Sequence, residues 1–257
     1  LTEKLAYRWS TGWSQGSLNP VNLDSYPRYA VHGGMAALAA YLARELDIRL
    51  RTRLVGLTPT GNGWLCQTDT GTEISARAVI LTPPVPQSLE ILGHSRISLP
   101  DEDRAALEKI TYAPCLAGVF RLSGPIHLPE PGAIQHSYAP VTWIADNQQK
   151  GISPDAPVVT VQASEAFSRE YWDAANAQIL RKLGLSFKAY LGRTSQILQA
   201  RLIRWPFARP TQFFPQTCFQ PADLPRLVFA GDAFGAARIE GAVLSGADAA
   251  TVLIQEL

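Results

Sequence analysis

Methionine, cysteine and long apolar runs are scarce in this chain of 257 residues. The only methionine is Met35 and the first residue is Leu1. A primary translation product opens on methionine, so further chain is expected upstream of Leu1. Cys66, Cys115 and Cys218 are few, odd in number and far apart, with no C-x-x-C spacing. That favours buried thiols in a reducing, cytoplasmic compartment over a disulfide framework or a zinc site. His32, His94, His127 and His136 show no metal-ligand spacing, so no metal is expected. No apolar stretch reaches the roughly 18 residues that a membrane span needs, and the N-terminus lacks the layout of a signal peptide. With a net charge of +1 and no basic cluster, nucleic acid and acidic membranes are poor partners. The chain has no G-x-G-x-x-G: Gly61 and Gly63 belong to a hairpin turn, and Gly231 and Gly235 have the wrong spacing and context. No nucleophile–base pair or carboxylate dyad stands out, so no catalytic residue is assigned.

What is present is enough apolar material, 46%, to bury a real core. Leu1–Tyr29 is rich in Trp, Tyr, Asn, Pro and Ser without a sustained period, and reads as irregular with at most one short element. After His32-Gly33-Gly34, the spacing of Met35, Leu38, Leu42 and Leu46 predicts an amphipathic helix. A strand at Ile48 and Leu50 and a meander through Leu54, Leu57, Trp64 and Cys66 follow, with hairpin turns at Gly61–Gly63 and Asp69–Gly71. The run Ala78–Leu81 predicts a buried strand that ends at Thr82-Pro83-Pro84. Downstream, a short helical piece spans Leu89–Leu92, and Ser98 with Asp101 offers a capping pattern for a helix over Asp103–Ile110. Strands are expected at Ala113–Leu122, Val141–Ala145 and Val158–Ala163, then a helix over Phe167–Leu183. A last strand through Leu198, Ala200 and Leu202 is expected to stop at Trp205-Pro206, because proline cannot donate in a central ladder.

The most informative stretch is LVFAGDAFGAARIEGAVLSGADAA, Leu227–Ala250. Leu227–Ala230 has the length and composition of a strand buried on both faces of a parallel sheet. Gly231-Asp232 stops it, and a helix opens at Glu240-Gly241-Ala242 with Gly241, Ser245 and Ala249 spaced four apart on one side. Two accounts fit this pattern. Either Gly231-Asp232 is a surface turn and the small residues permit close packing, or the helix tip and Asp232 form a socket that lets a ligand approach backbone.

The whole string resembles the C-terminal FAD-contacting segment of the flavin amine oxidase superfamily, specifically its renalase-like branch. The matching positions are Gly231, Asp232, Glu240, Gly241, Ala242, Ser245 and Gly246. Two further motifs carry the likeness: WIADNQQK at Trp143–Lys150, and RWPFARP at Arg204–Pro210. Gly33-Gly34-Met35, Leu54 and Thr82-Pro83 resemble the family's Gly-Met helix start, its adenine-contacting backbone and its strand exit.

The resemblance implies a mixed α/β protein of the Rossmann-like, two-dinucleotide-binding flavoprotein fold. It is incomplete at the N-terminus and carries an inserted α+β substrate domain. Residues 1–85 are then the remainder of the FAD domain, 86–222 the substrate domain, and 223–257 the C-terminal FAD-binding strand and helix. FAD is the implied cofactor, with contacts from Leu54, Thr82, Gly231, Asp232, Arg238, Ile239, Glu240, Gly241 and Ala242. A small-molecule substrate is implied, met by His136, Asn147, Trp205 and Phe207, with Arg204 and Arg209 as further polar candidates. The implied activity is hydride transfer from a nicotinamide isomer or an amine to flavin and then to dioxygen. Because the pyrophosphate turn is absent, a missing N-terminal segment carrying G-x-G-x-x-G is expected. A non-catalytic binding subunit and an isoprenoid-desaturase-like enzyme are the alternatives.

Overall fold

The computed structural model describes residues 5–10, 27–135 and 140–257. In chain order its elements are β1 (Ala6–Ser10), β2 (Arg28–Val31), α1 (Met35–Leu42), β3 (Leu54–Thr60), β4 (Gly63–Thr68), β5 (Glu73–Ala76) and β6 (Val79–Leu81). There follow α2 (Val85–His94), α3 (Asp101–Glu108), β7 (Thr111–Leu122), β8 (Ala133–Gln135), β9 (Val141–Asp146) and β10 (Val158–Ala163). The chain ends with α4 (Glu165–Glu170), α5 (Asn176–Leu185), β11 (Ile197–Gln212), β12 (Leu227–Phe229) and α6 (Arg238–Glu256). Two compact units emerge, each made of two stretches of sequence: Leu1–Ile48 with Pro114–Pro206, and Arg49–Ala113 with Phe207–Leu257. These boundaries differ from the sequence division at 85/86 and 222/223.

The first unit is built on a sheet of order β11-β7-β10-β9-β8, with β10 antiparallel to both β7 and β9. Along β10 the buried positions are Val159, Val161 and Ala163, the period of two that puts one face inside. Those residues pack with Leu116, Phe120 and Ile144 of the sheet and with Phe167, Ile179 and Leu183 from α4 and α5. The expected single helix over Phe167–Leu183 is therefore two. Where the chain breaks between them, the Arg204 guanidinium donates to the carbonyls of Trp172 and Ala174 and to the Asn176 side chain, at 2.7–3.0 Å. Arg204 thus satisfies acceptors that a helix would have used internally. The strand expected to stop at Trp205-Pro206 instead runs on to Gln212. Its place at the edge of the sheet allows this, since an edge strand bonds on one side only and tolerates proline where its N position faces outward.

In the N-terminal stretch, β1 is a short element of the kind allowed for in Leu1–Tyr29, and it pairs antiparallel with β2. The residues after it depart from their pattern. α1 stops at Leu42, four residues short of Leu46, and none of its residues is buried. Leu46 is 63% exposed, and the predicted strand at Ile48 and Leu50 does not form; Leu50 is 81% exposed. An alternating strand pattern needs a neighbouring strand to bond to, and among the described residues none pairs with it.

In the second unit β3, β4 and β5 form the expected antiparallel meander. β6 and β12 pair in parallel, Val79 with Leu227 and Leu81 with Phe229. All three residues of β12 are buried, as a strand covered on both faces should be. Leu57, Trp64, Leu81, Leu92, Leu107, Leu227, Phe229 and Phe234 make up the core. α2 is longer than the short piece expected, and α3 begins at Asp101 after Pro100 with no side-chain cap. Three carboxylates in its first turn complement the helix dipole in place of the Ser98–Asp101 pattern.

Candidate functional site

β12 ends at Phe229, and Ala230 leads into Gly231, whose φ of 138° is open to glycine and strained for other residues. A Cβ there would meet nothing nearer than the Thr82 carbonyl at 3.6 Å, so the backbone angle, and not space, calls for glycine. The Gly231 N–H donates to the buried Ser245 hydroxyl at 2.8 Å, which ties the turn to α6. Gly241 lies so close to Ala236 that a Cβ would stand 1.8 Å from its carbonyl oxygen. Ala249 packs with Val228 and Ala230. The stripe of Gly241, Ser245 and Ala249 is thus the packing face of α6, the first of the two accounts of that pattern.

The face one residue further on is open. Thr82, Ala230, Gly231, Asp232, Arg238, Ile239, Ala242 and Gly246 line a cavity of about 510 Å³ at the helix tip. Glu240 is exposed beside it. Arg238, the first residue of α6, has a φ of 88°, a costly backbone angle for a side chain of this kind. Enough protein surrounds the Asp232 carboxyl to push its pKa above the ordinary carboxylate value, an effect that a bond from its own backbone N–H opposes. Tyr112, which the sequence pattern did not single out, belongs to the same neighbourhood. Its hydroxyl accepts from the Val85 N–H at 3.1 Å, and Phe207 packs edge-on against its ring with centroids 5.5 Å apart. Burial raises the Tyr112 pKa, the Val85 bond lowers it, and the Asp232 charge adds to the rise.

A second cavity, of about 710 Å³, lies between β3, β6 and α2. Leu54 and Thr82 line it together with Arg53, Gln87, Glu90 and His94. Thr82 belongs to both cavities, so the strand exit after β6 joins them. Gln87, Glu90 and His94 follow the helical spacing of three and four, a signal visible only once Val85–His94 is known to be one helix.

Three of the four expected substrate contacts fall within the described residues. His136 lies outside the described residues. Asn147 donates its side-chain amide to Thr160 at 2.9 Å and takes part in the turn after β9. Trp205 is 54% exposed on β11. Phe207 is half-buried against the core around Tyr112. Arg204 uses three of its N–H donors at the break between α4 and α5, and Arg209 lies further along β11. Burial pushes the thiols of Cys66, Cys115 and Cys218 above the ordinary value, so they are poor nucleophiles. Among the described residues no group of His, Cys, Asp and Glu has a metal-binding arrangement. No helix among them is long and apolar enough to cross a membrane.

Comparison with known proteins gives consistent results. The family described as flavin containing amine oxidoreductase matches residues 5–254. Mouse (Mus musculus) renalase is 24% identical over 235 residues, covering 87% of this chain and 68% of its own length. Among solved structures, a protein described as a protoporphyrinogen oxidase from an Exiguobacterium species superimposes with a TM-score of 0.61 at 16% identity, over 88% of this chain and 52% of its own. A putrescine oxidase variant redesigned for cofactor binding gives 0.62 at 16% identity, over 91% and 55%. The chain therefore spans about half the length of these solved relatives and shares their Rossmann-like flavoprotein fold.

Proposed function

The chain belongs to the flavin containing amine oxidoreductase family, and from that premise we propose that it seats FAD and handles substrate in an oxidoreductase of the renalase type. The reaction is removal of a hydride from a small reduced compound, a nicotinamide isomer or an amine, with dioxygen as the final acceptor. The observation that carries this proposal is the cavity at the tip of α6, which gathers Thr82, Gly231, Asp232, Arg238, Ile239 and Ala242 in one place. FAD, when bound, supplies the hydride acceptor, which leaves the protein to bind, orient and exclude water.

Each residue has a task that its chemistry fits. Asp232, when ionised, only accepts hydrogen bonds and suits the hydroxyls of a ribityl chain. The free N–H groups in the first turn of α6 favour an electron-rich edge, and Arg238, Glu240 and Gly241 belong to that turn. Ile239, Ala242 and Gly246 make an apolar floor without charge. At the larger cavity, the backbone of Leu54 and the strand exit at Thr82 suit the adenine end. Trp205 and Phe207 offer aromatic surface to a planar substrate, and Asn147 keeps its side-chain oxygen as an acceptor. His136 completes the polar set.

The pyrophosphate is the part these residues do not fit, since no G-x-G-x-x-G is present. We assign that turn to polypeptide outside these residues. The two-stranded β6–β12 sheet, with Ile80 exposed, leaves room for further parallel strands. The half-buried, unpaired thiols of Cys66, Cys115 and Cys218 suit a reducing, cytoplasmic setting.

Equilibrium titration of FAD, followed by quenching of flavin fluorescence, tests this function. Weak, saturable binding is expected for the chain alone. Asp232→Ala should weaken it about tenfold, the worth of one charge-assisted hydrogen bond. Adding upstream polypeptide that carries the glycine-rich turn should tighten it. Binding that is indifferent to Asp232→Ala, or absent even with that polypeptide, overturns the proposal.

A further inference from the structure

Lys150 belongs to the first unit and is not among the residues that line either cavity described above. It closes the turn after β9, where its N–H donates to the Asp146 carbonyl at 2.9 Å. The buried Asp146 side chain accepts from the N–H groups of Gln148 and Gln149, which fixes the turn. The Tyr7 hydroxyl donates to the Lys150 carbonyl. Gly151, with a φ of 72°, packs so closely that a Cβ would meet that hydroxyl at 2.7 Å. The backbone beneath Lys150 is therefore held from several sides. Its ammonium lies 4.6 Å from the ring centre of Trp9 and 5.9 Å from that of Trp143, in the corner of two indoles packed edge to face.

The titratable groups around it are Tyr7 from β1, His32 with its ring tilted against Tyr7, Asp146, and Glu130, which is bound to the Gln149 amide. Among the described residues, no carboxylate pairs with the Lys150 ammonium. A desolvated lysine without a counter-charge loses its proton more readily and becomes a nucleophile. The direction of its pKa, lowered by burial, agrees.

We infer that Lys150 is a covalent capture site for small aldehydes, with Trp9 and Trp143 as the walls that receive the adduct. The neutral amine adds to the carbonyl carbon, the carbinolamine loses water, and a C=N bond replaces the C=O bond with no net change in oxidation. The product suits the corner better than the ammonium does. The imine is uncharged, so it escapes the cost of burial, and it is planar, so it lies flat against an indole. This inference does not rest on the flavin reading.

The chain has few lysines, Lys4, Lys109, Lys150, Lys182 and Lys188, which makes the test direct. The intact protein is treated with benzaldehyde and sodium cyanoborohydride from pH 6 to 10, and each lysine is followed by peptide mass spectrometry. Lys150 should be alkylated roughly tenfold faster at neutral pH than Lys109, Lys182 and Lys188, with its rate rising at lower pH than theirs. Trp143→Leu, checked for native folding by circular dichroism, should reduce that advantage. Lys150→Arg should abolish modification at this position and leave the other sites unchanged. Alkylation of Lys150 no faster than of the exposed lysines, or a rate that rises only at higher pH because the indoles hold the charge, overturns the inference. So does an advantage that Trp143→Leu leaves intact.

Discussion

Two glycines near the start of α6 are required for different reasons, and substitution should separate them. At Gly231 the space is open and only the backbone angle is unusual, so Gly231→Ala should cost about 1–2 kcal/mol in urea unfolding. At Gly241 a methyl group would meet backbone, which cannot swing aside. Gly241→Ala should therefore cost about 3 kcal/mol and shift the α6 amide signals in NMR spectra. Asp232 gives a prediction with a definite sign. Its native pKa is raised above the unfolded value, so the native state holds the proton more tightly. The stability linked to that proton is complete below the ordinary carboxylate pKa and is lost as pH rises through the raised one. Asp232→Asn removes this dependence. The urea midpoint of the variant, relative to the native chain, should climb across that window and level off above it.

At the scale of elements, Arg204 holds the break between α4 and α5 through two carbonyls and one amide oxygen. Arg204→Ala should cost about 1–3 kcal/mol, because the acceptors lose their donor in a part-buried place. Amide exchange should rise first at Trp172–Asn176. The stretch after α1 behaves oppositely. Leu46, Ile48 and Leu50 are exposed, so Leu50→Ser should change the stability of this chain by no more than about 0.5 kcal/mol. These elements also show what the residue pattern could and could not convey. β10 and the β3–β5 meander were legible because alternation and hairpin glycines act locally. The break at Trp172–Asn176 was not, since its cause is an arginine on a strand some thirty residues away in sequence. The persistence of β11 through Pro206 was hidden too, because edge or centre is a property of the sheet. In the same way the spacing of Gly241, Ser245 and Ala249 revealed a smooth face but not its direction. The structure turns that face inward and opens the cavity beside Ala242 and Gly246.

For the molecule as a whole, each unit has its own apolar cluster. Ile179→Ala and Leu227→Ala remove fully buried side chains from different ones, and each should cost about 2–5 kcal/mol. Hydrogen exchange resolved along the chain should show faster exchange mainly within Leu1–Ile48 and Pro114–Pro206 for the first, and within Arg49–Ala113 and Phe207–Leu257 for the second. The family relationship was legible at this scale because its motifs are short and local to turns and helix tips. The way the two units share the chain was not, since each draws on separated stretches. That interleaving matters when the polypeptide is made. A ribosome delivers residues in order, so both stretches of the first unit have emerged once Pro206 is clear of the exit tunnel. Within these residues, β6 meets its parallel partner only when β12 is synthesised far downstream. During that interval its apolar edge is open to stray partners, and a chaperone that shields nascent Val79–Leu81 would have most to protect there.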